Sequence, residues 1–138
     1  MARFTVAPLL VGLLVFSSCS RTKTLEDARS DVTSAVSLAA ESETFIDYIR
    51  QGRATGNFTA GHIQYLIEEI QRSTQELAEP VPDERVRRKL EEVSSELRAL
   101  VTELQTVSHE IGNAQALTAI RERVTAIRHR LEAANSSL

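Results

Sequence analysis

The chain has 138 residues, 42% of them hydrophobic, 25% charged and only 4% aromatic, with 5 Gly and no Trp. So few aromatic residues and turn glycines argue against an all-β fold and against an α/β nucleotide-binding fold, which needs a Gly-rich loop. The formal net charge of -3 disfavours a general nucleic-acid binder. What remains is one small all-helical domain, and no motif in it specifies an activity.

At the N-terminus, Arg3 supplies a positive charge and Thr5 to Phe16 form an apolar run that ends in Ser17, Ser18 and Cys19. This plan predicts a signal peptide over residues 1–18. As a helix the run reaches about 18 Å, against about 30 Å of hydrocarbon in a bilayer, so it is too short for a stable span. Cys19 is the single cysteine, which excludes a disulfide within the chain. The apolar run, the small residues Ser17 and Ser18, and Cys19 resemble the lipobox of bacterial lipoproteins, with Phe16 where that family prefers Leu. The resemblance covers about the first 20 residues. It implies diacylation of the Cys19 thiol, cleavage before it and membrane attachment through the acyl chains. Ser20, standing where Asp marks inner-membrane retention in that family, implies the outer membrane. The alternatives are a soluble secreted or periplasmic product cut after Ser20 and, in a eukaryotic setting, glycosylation sequons at Asn57 and Asn135.

Residues 19–23 are expected to form a tether, followed by a helical bundle over 24–138. Thr24, with Asp27 three residues on, predicts a capped helix start. Apolar or small residues then recur by threes and fours at Leu25, Ala28, Val32, Ala35, Ala39, Ser42, Ile46 and Ile49. The stretch Gly52 to Asn57 reads as a turn. A second helix follows on Ile63, Ile67, Ile70, Thr74 and Leu77, and Pro80 and Pro82 stop it. The third carries a heptad seam through Val86, Leu90, Val93, Leu97, Leu100, Leu104, Val107 and Ile111. Gly112 is expected to be a left-handed stop and Asn113 the cap of a fourth helix built on Leu117, Ile120, Val124, Ile127, Leu131, Ala134 and Leu138. The predicted helices span about 24–51, 59–78, 83–111 and 114–137.

Seam residues in helices three and four pair with a constant sum of residue numbers, as Leu104 does with Ile120 and Leu90 with Ala134. Helices one and two do likewise, as in Ile46 with Ile63 and Val32 with Leu77. Two such hairpins predict an antiparallel up-down-up-down four-helix bundle. A thinner pair of coiled-coil hairpins completed as a homodimer is the runner-up.

In this topology the Pro loop and the C-terminus share the anchored end, and the turns at Gly52 to Asn57 and at Gly112 lie at the far end. Arg50 and Arg53 face Glu41, Glu43, Asp47, Glu68 and Glu69 in the far half, so the anchored half is closer to neutral. Arg85, Arg87, Arg88 and Lys89 form a dense basic patch in the first turns of helix three, where the helix dipole disfavours cations. It is either a contact for phosphate or lipid headgroups or a solvated face balanced by Asp83, Glu84, Glu91 and Glu92. Phe45, Tyr48, Phe58 and Tyr65 cluster at one hairpin tip, either as a protein-partner surface or as a local mini-core.

His62, His109 and His129 lack the Glu-x-x-His spacing of carboxylate-bridged metal bundles, and the single Met leaves no Met/His haem ligation. His62 is expected to pair with Asp47 across the first hairpin. No cofactor, metal site or catalytic constellation is expected. The reading is a non-enzymatic, membrane-tethered structural or interaction module, with a ligand- or metal-binding bundle as the alternative.

Overall fold

The computed structural model describes residues 22–138, which form four helices and, within that range, no strand. The signal peptide predicted over 1–18 and the lipidation site Cys19 lie outside the described residues.

Helix α1 spans Leu25–Arg50 and opens on the expected capping box. The Thr24 hydroxyl accepts from the Asp27 N–H at 3.1 Å, and the Asp27 carboxylate accepts from the Thr24 N–H at 2.9 Å. The helix closes at Gly52, whose φ of +66° lets its N–H reach the Ile49 carbonyl while the Arg53 N–H reaches that of Tyr48. This pair of bonds is a Schellman motif, and it needs a residue that tolerates the left-handed region.

Helix α2 spans Gly56–Leu77, beginning before the predicted start near residue 59. The Thr59 N–H and hydroxyl both donate to the Thr55 carbonyl, at 2.8 and 2.9 Å, and wind the first turn around Gly56, Asn57 and Phe58.

Helix α3 spans Glu84–Glu110, capped by Asp83, whose Oδ1 accepts from the Arg85 and Val86 N–H groups at 2.8 and 3.2 Å. Helix α4 spans Ala114–Ser136, capped by Asn113 through the Ala116 N–H at 3.1 Å. The expected left-handed stop at Gly112 is not there, because Gly52 is the sole positive-φ residue among those described. Instead the Asn113 N–H donates to the Glu110 carbonyl at 2.8 Å, a tight turn that passes through Gly112 with negative φ.

The four helices share one core. It is built from Ala28, Val32, Ala35, Ala39 and Ile46 of α1, the isoleucines of α2, the heptad seam of α3 and Leu117 to Leu131 of α4. Two ends of the predicted seams fall outside it, with Leu25 43% and Ile111 39% exposed. Five buried helix residues had no place in the predicted seams: Phe45, Thr59, Leu66, Ser73 and Ser94. Helix α2 therefore buries a stripe wide enough for two neighbours, as expected of a globular bundle rather than a two-stranded coil.

Helix α1 packs against all three other helices, whereas α2 and α4 do not meet. The buried stripe of α1 carries small side chains at Ala28, Ala35, Ala39 and Ser42, which lets its backbone come close to its neighbours, α3 across the diagonal included. The Ser42 hydroxyl donates to its own Leu38 carbonyl at 2.8 Å, which satisfies the group inside the core.

Candidate functional site

Two regions gather the groups singled out by the sequence. The first is the aromatic cluster on α1 and α2. Phe45 is buried, and its ring lies 5.9 Å from that of Phe58 in an edge-on arrangement and 4.3 Å from the His62 imidazole. Phe58 also meets Tyr48 at 6.3 Å and stacks on His62 at 5.7 Å, and His62 continues to Tyr65 at 5.5 Å. The Arg53 guanidinium caps the Tyr48 ring at 5.2 Å. Phe45 serves as the mini-core, while Phe58 and Tyr65 remain 52% and 48% exposed. The four aromatics thus make a side-on patch whose root is in the core. Between them runs an open apolar groove of about 440 Å³, with Ala40, Thr44, Phe45, Tyr48 and Phe58 along it and Glu41 and His62 at its edge.

His62 does not pair with Asp47. Its Nε2 lies 3.3 Å from Glu41, nearly two turns nearer the start of α1. Asp47 instead turns to α4, where Arg121 Nε donates to it at 2.7 Å, and it also accepts from Arg50 at 2.7 Å. Glu43 lies beside it and accepts from Arg128 Nε and the Thr125 hydroxyl, each at 2.8 Å. Burial alone pushes the Glu43 carboxyl up. The hydrogen bonds from Arg128 and Thr125 and the nearby charges of Arg128 and Arg121 outweigh that, and hold it below the ordinary carboxylate range. Asp47 follows the same balance through Arg121 and Arg50. Two of the five carboxylates expected at this end, Glu43 and Asp47, are thus taken up by α4 arginines.

The second region is the opposite part of α1. The Lys23 side chain is buried and donates to the Asp31 carboxylate and to the Glu76 carbonyl, and the Lys23 N–H reaches the Pro80 carbonyl at 3.4 Å. Arg29 donates to the Leu138 carbonyl at 2.8 Å. The start of α1, the Pro loop and the end of α4 therefore converge. Lys23, expected in the tether, is part of the packed domain.

The basic patch lies here. Arg87 and Arg88 share Glu84, the latter at 3.9 Å, and Lys89 donates to Glu92 at 2.7 Å. Asp83 offsets the unfavourable position of these cations at a helix N-terminus. The N–H groups of Val86 and Arg85 hold its carboxyl below the usual range. Most of the patch is a balanced, solvated face; Arg85 is the exception, with no side-chain hydrogen bond or close ion pair among the described residues.

Among the described residues no group of three or more His, Cys, Asp or Glu is placed to hold a metal ion, and no helix is long and apolar enough to cross a membrane. His109 and His129 are exposed and stand on separate helices. No protein-family model matches the chain, and no curated protein or solved structure is similar enough to match it.

Proposed function

We propose that the chain is a lipid-anchored protein of the bacterial cell envelope, held in the outer membrane through Cys19, whose helical bundle is a non-enzymatic interaction module. In this reading the helices run up, down, up and down. Two series of contacts support that topology. Residue numbers fall along α4 as they rise along α1, from Thr33 with Asn135 through Glu43 with Arg128 to Asp47 with Arg121. The same inversion relates α3 to α4, with Glu96 on Arg130 and Glu103 on Arg123.

The observation that carries the reading is the separation of the two regions along α1. Thr22, three residues after Cys19, lies where the Pro loop and the end of α4 meet, while Phe45 and Tyr48 stand about 30 Å further along the helix. A membrane holding Cys19 leaves the aromatic patch free, and half-exposed Phe58 and Tyr65 supply the kind of side chain that dominates binding hot spots.

The test is the intact mass of the membrane-extracted protein beside a Cys19→Ala variant, with membrane fractionation of both. An acylated N-terminal Cys19, and loss of anchoring in the variant, are the expected results. A soluble protein that begins after Ser20 would overturn the tether. A photo-crosslinking residue at Tyr65 is expected to capture a discrete partner that one at Glu122 does not.

A further inference from the structure

At the converging end the structure has a half-enclosed cleft of about 450 Å³. Its apolar surface comes from Leu25, Val81, Pro82, Val86 and Leu138, and Thr22 stands at its mouth. Leu25 is 43% exposed although it opens the apolar stripe of α1, so a large apolar side chain is left at the rim.

Four charged groups line the cleft: Lys23, Asp83, Arg85 and Lys89. Three are committed. Lys23 is buried against Asp31 and the end of α2, Lys89 is held by Glu92, and the Asp83 carboxylate is turned onto the N–H groups of its own helix. The Arg85 guanidinium makes no hydrogen bond or close ion pair among the described residues; its charge acts on the Asp83 carboxylate beside it, but Asp83 Oδ1 is already taken by the Arg85 and Val86 N–H groups. The cleft therefore offers a hydrophobic floor and, beside Asp83, a planar fork whose N–H donors are still open, a combination that suits a phosphate joined to acyl chains better than a free anion, which has no use for the floor.

Position names the source of that phosphate. Thr22 is three residues after Cys19 in the chain, a span of at most about 11 Å when fully extended. A bilayer that holds acyl chains on Cys19 thus keeps its headgroups close to the cleft, at a reach comparable with the Debye length of roughly 8 Å at physiological salt.

We propose that this cleft seats an anionic phospholipid of the anchoring membrane, with Arg85 on the phosphate and the upper part of an acyl chain along Leu25, Val81 and Val86, so that the bundle stands upright on the bilayer. The proposal rests on the tethering reading above. Its consequence is that the acyl anchor sets location and the cleft sets orientation, which holds the aromatic patch away from the surface.

The experiment uses the membrane-extracted chain carrying Leu25→Cys labelled with a polarity-sensitive dye, after intact mass has established the state of Cys19. The protein is reconstituted into vesicles of phosphatidylcholine alone and into vesicles enriched in phosphatidylglycerol. The dye emission is expected to shift to the blue only in the phosphatidylglycerol vesicles. Arg85→Gln is expected to reduce the seated population about five-fold, the factor for one cation at an anionic surface, while Arg98→Gln, further along α3, leaves it within about twofold. Both arginines are exposed, and helical circular dichroism checks that each variant is folded.

Equal emission in the two vesicle types would overturn the proposal. So would equal losses in the two arginine variants, which would mark a diffuse electrostatic effect, or abolition of the shift by inorganic phosphate, which would mark a plain anion site. Should the mass show an unmodified chain, the tether fails on its own. Flotation with the same vesicles then tests the cleft: flotation that depends on phosphatidylglycerol and Arg85 supports it, and its absence overturns it.

Discussion

Glu43 joins α1 to α4 through a single carboxylate, and its pairing with Arg128 yields a quantitative expectation. In the wild type Arg128 Nε and the Thr125 hydroxyl donate to it at 2.8 Å, and Arg121 Nη2 lies 3.2 Å away. The Glu43 side chain is 13% exposed and that of Arg128 25%, so the pair is neither solvated nor sealed. Exposed pairs contribute about 0.2–1 kcal/mol, and removing one partner of a fully buried pair costs about 3–5 kcal/mol. An intermediate site, whose arginine can rehydrate when abandoned, is expected to lose about 2 kcal/mol in Glu43→Ala. The coupling to Arg128→Ala in a double-mutant cycle is expected near 1 kcal/mol. For a domain of this size the single substitution lowers Tm by about 8 °C. The assay is two-state urea unfolding of the four proteins, followed by helical circular dichroism. Acid supplies a second handle. The folded-state pKa of Glu43 lies below its unfolded value, so its stabilisation is complete above that unfolded value, about 4.3, and is lost as pH falls through the folded one. The coupling should therefore be the same at about pH 7 and about pH 5.5 and shrink below about pH 4. A coupling under about 0.3 kcal/mol at neutral pH, or one unchanged in acid, would refute the assigned geometry.

Further expectations concern single positions and are read by the same unfolding measurement. Gly52→Ala is expected to destabilise by about 1–2 kcal/mol, because φ is +66° there, whereas Gly112→Ala, with negative φ and no atom within 4 Å of the new Cβ, is neutral or stabilising. A loss at Gly112 as large as that at Gly52 would contradict the turn described between α3 and α4. Gly61→Ala, inside α2 and equally open, is expected to raise stability by about 0.5–1 kcal/mol, and a decrease would mean that the helix bends there. Ser73 has a buried hydroxyl with no hydrogen-bond partner among the described residues, so Ser73→Ala should be neutral or stabilising by up to about 1 kcal/mol; destabilisation would show that the hydroxyl is bonded in solution.

The candidate sites were legible in part. The four aromatics could be assigned to one neighbourhood because the turn at Gly52 limits how far apart they lie in the chain. Which of them is buried depends on helix rotation, and the sequence carries no signal that separates Phe45 from Phe58. The basic patch was visible as a run, but its members look alike until Glu84 and Glu92 take up Arg87, Arg88 and Lys89 and leave Arg85. The cleft beside Arg85 was not visible at all, since its walls come from the start of α1, the Pro loop and the last residues of α4.

By itself the sequence determined what is local. Apolar spacing of three and four specifies helices, and the side chains of Thr24, Asp83 and Asn113 satisfy N–H groups within three residues of themselves, so their caps follow without knowledge of the neighbours. Tertiary structure decided whatever required a choice between partners at similar reach. The sequence allows Asp47 either His62 on α2 or Arg121 on α4 as a partner, and the rotation of α1 gives it to Arg121 and leaves His62 to Glu41. The approach of α1 to α3, the wide stripe of α2 that buries Leu66, and the turn at Gly112 belong to the same class. Periodicity says which face of a helix is apolar, but the neighbour it meets is set by the shape of all four faces packed to native density.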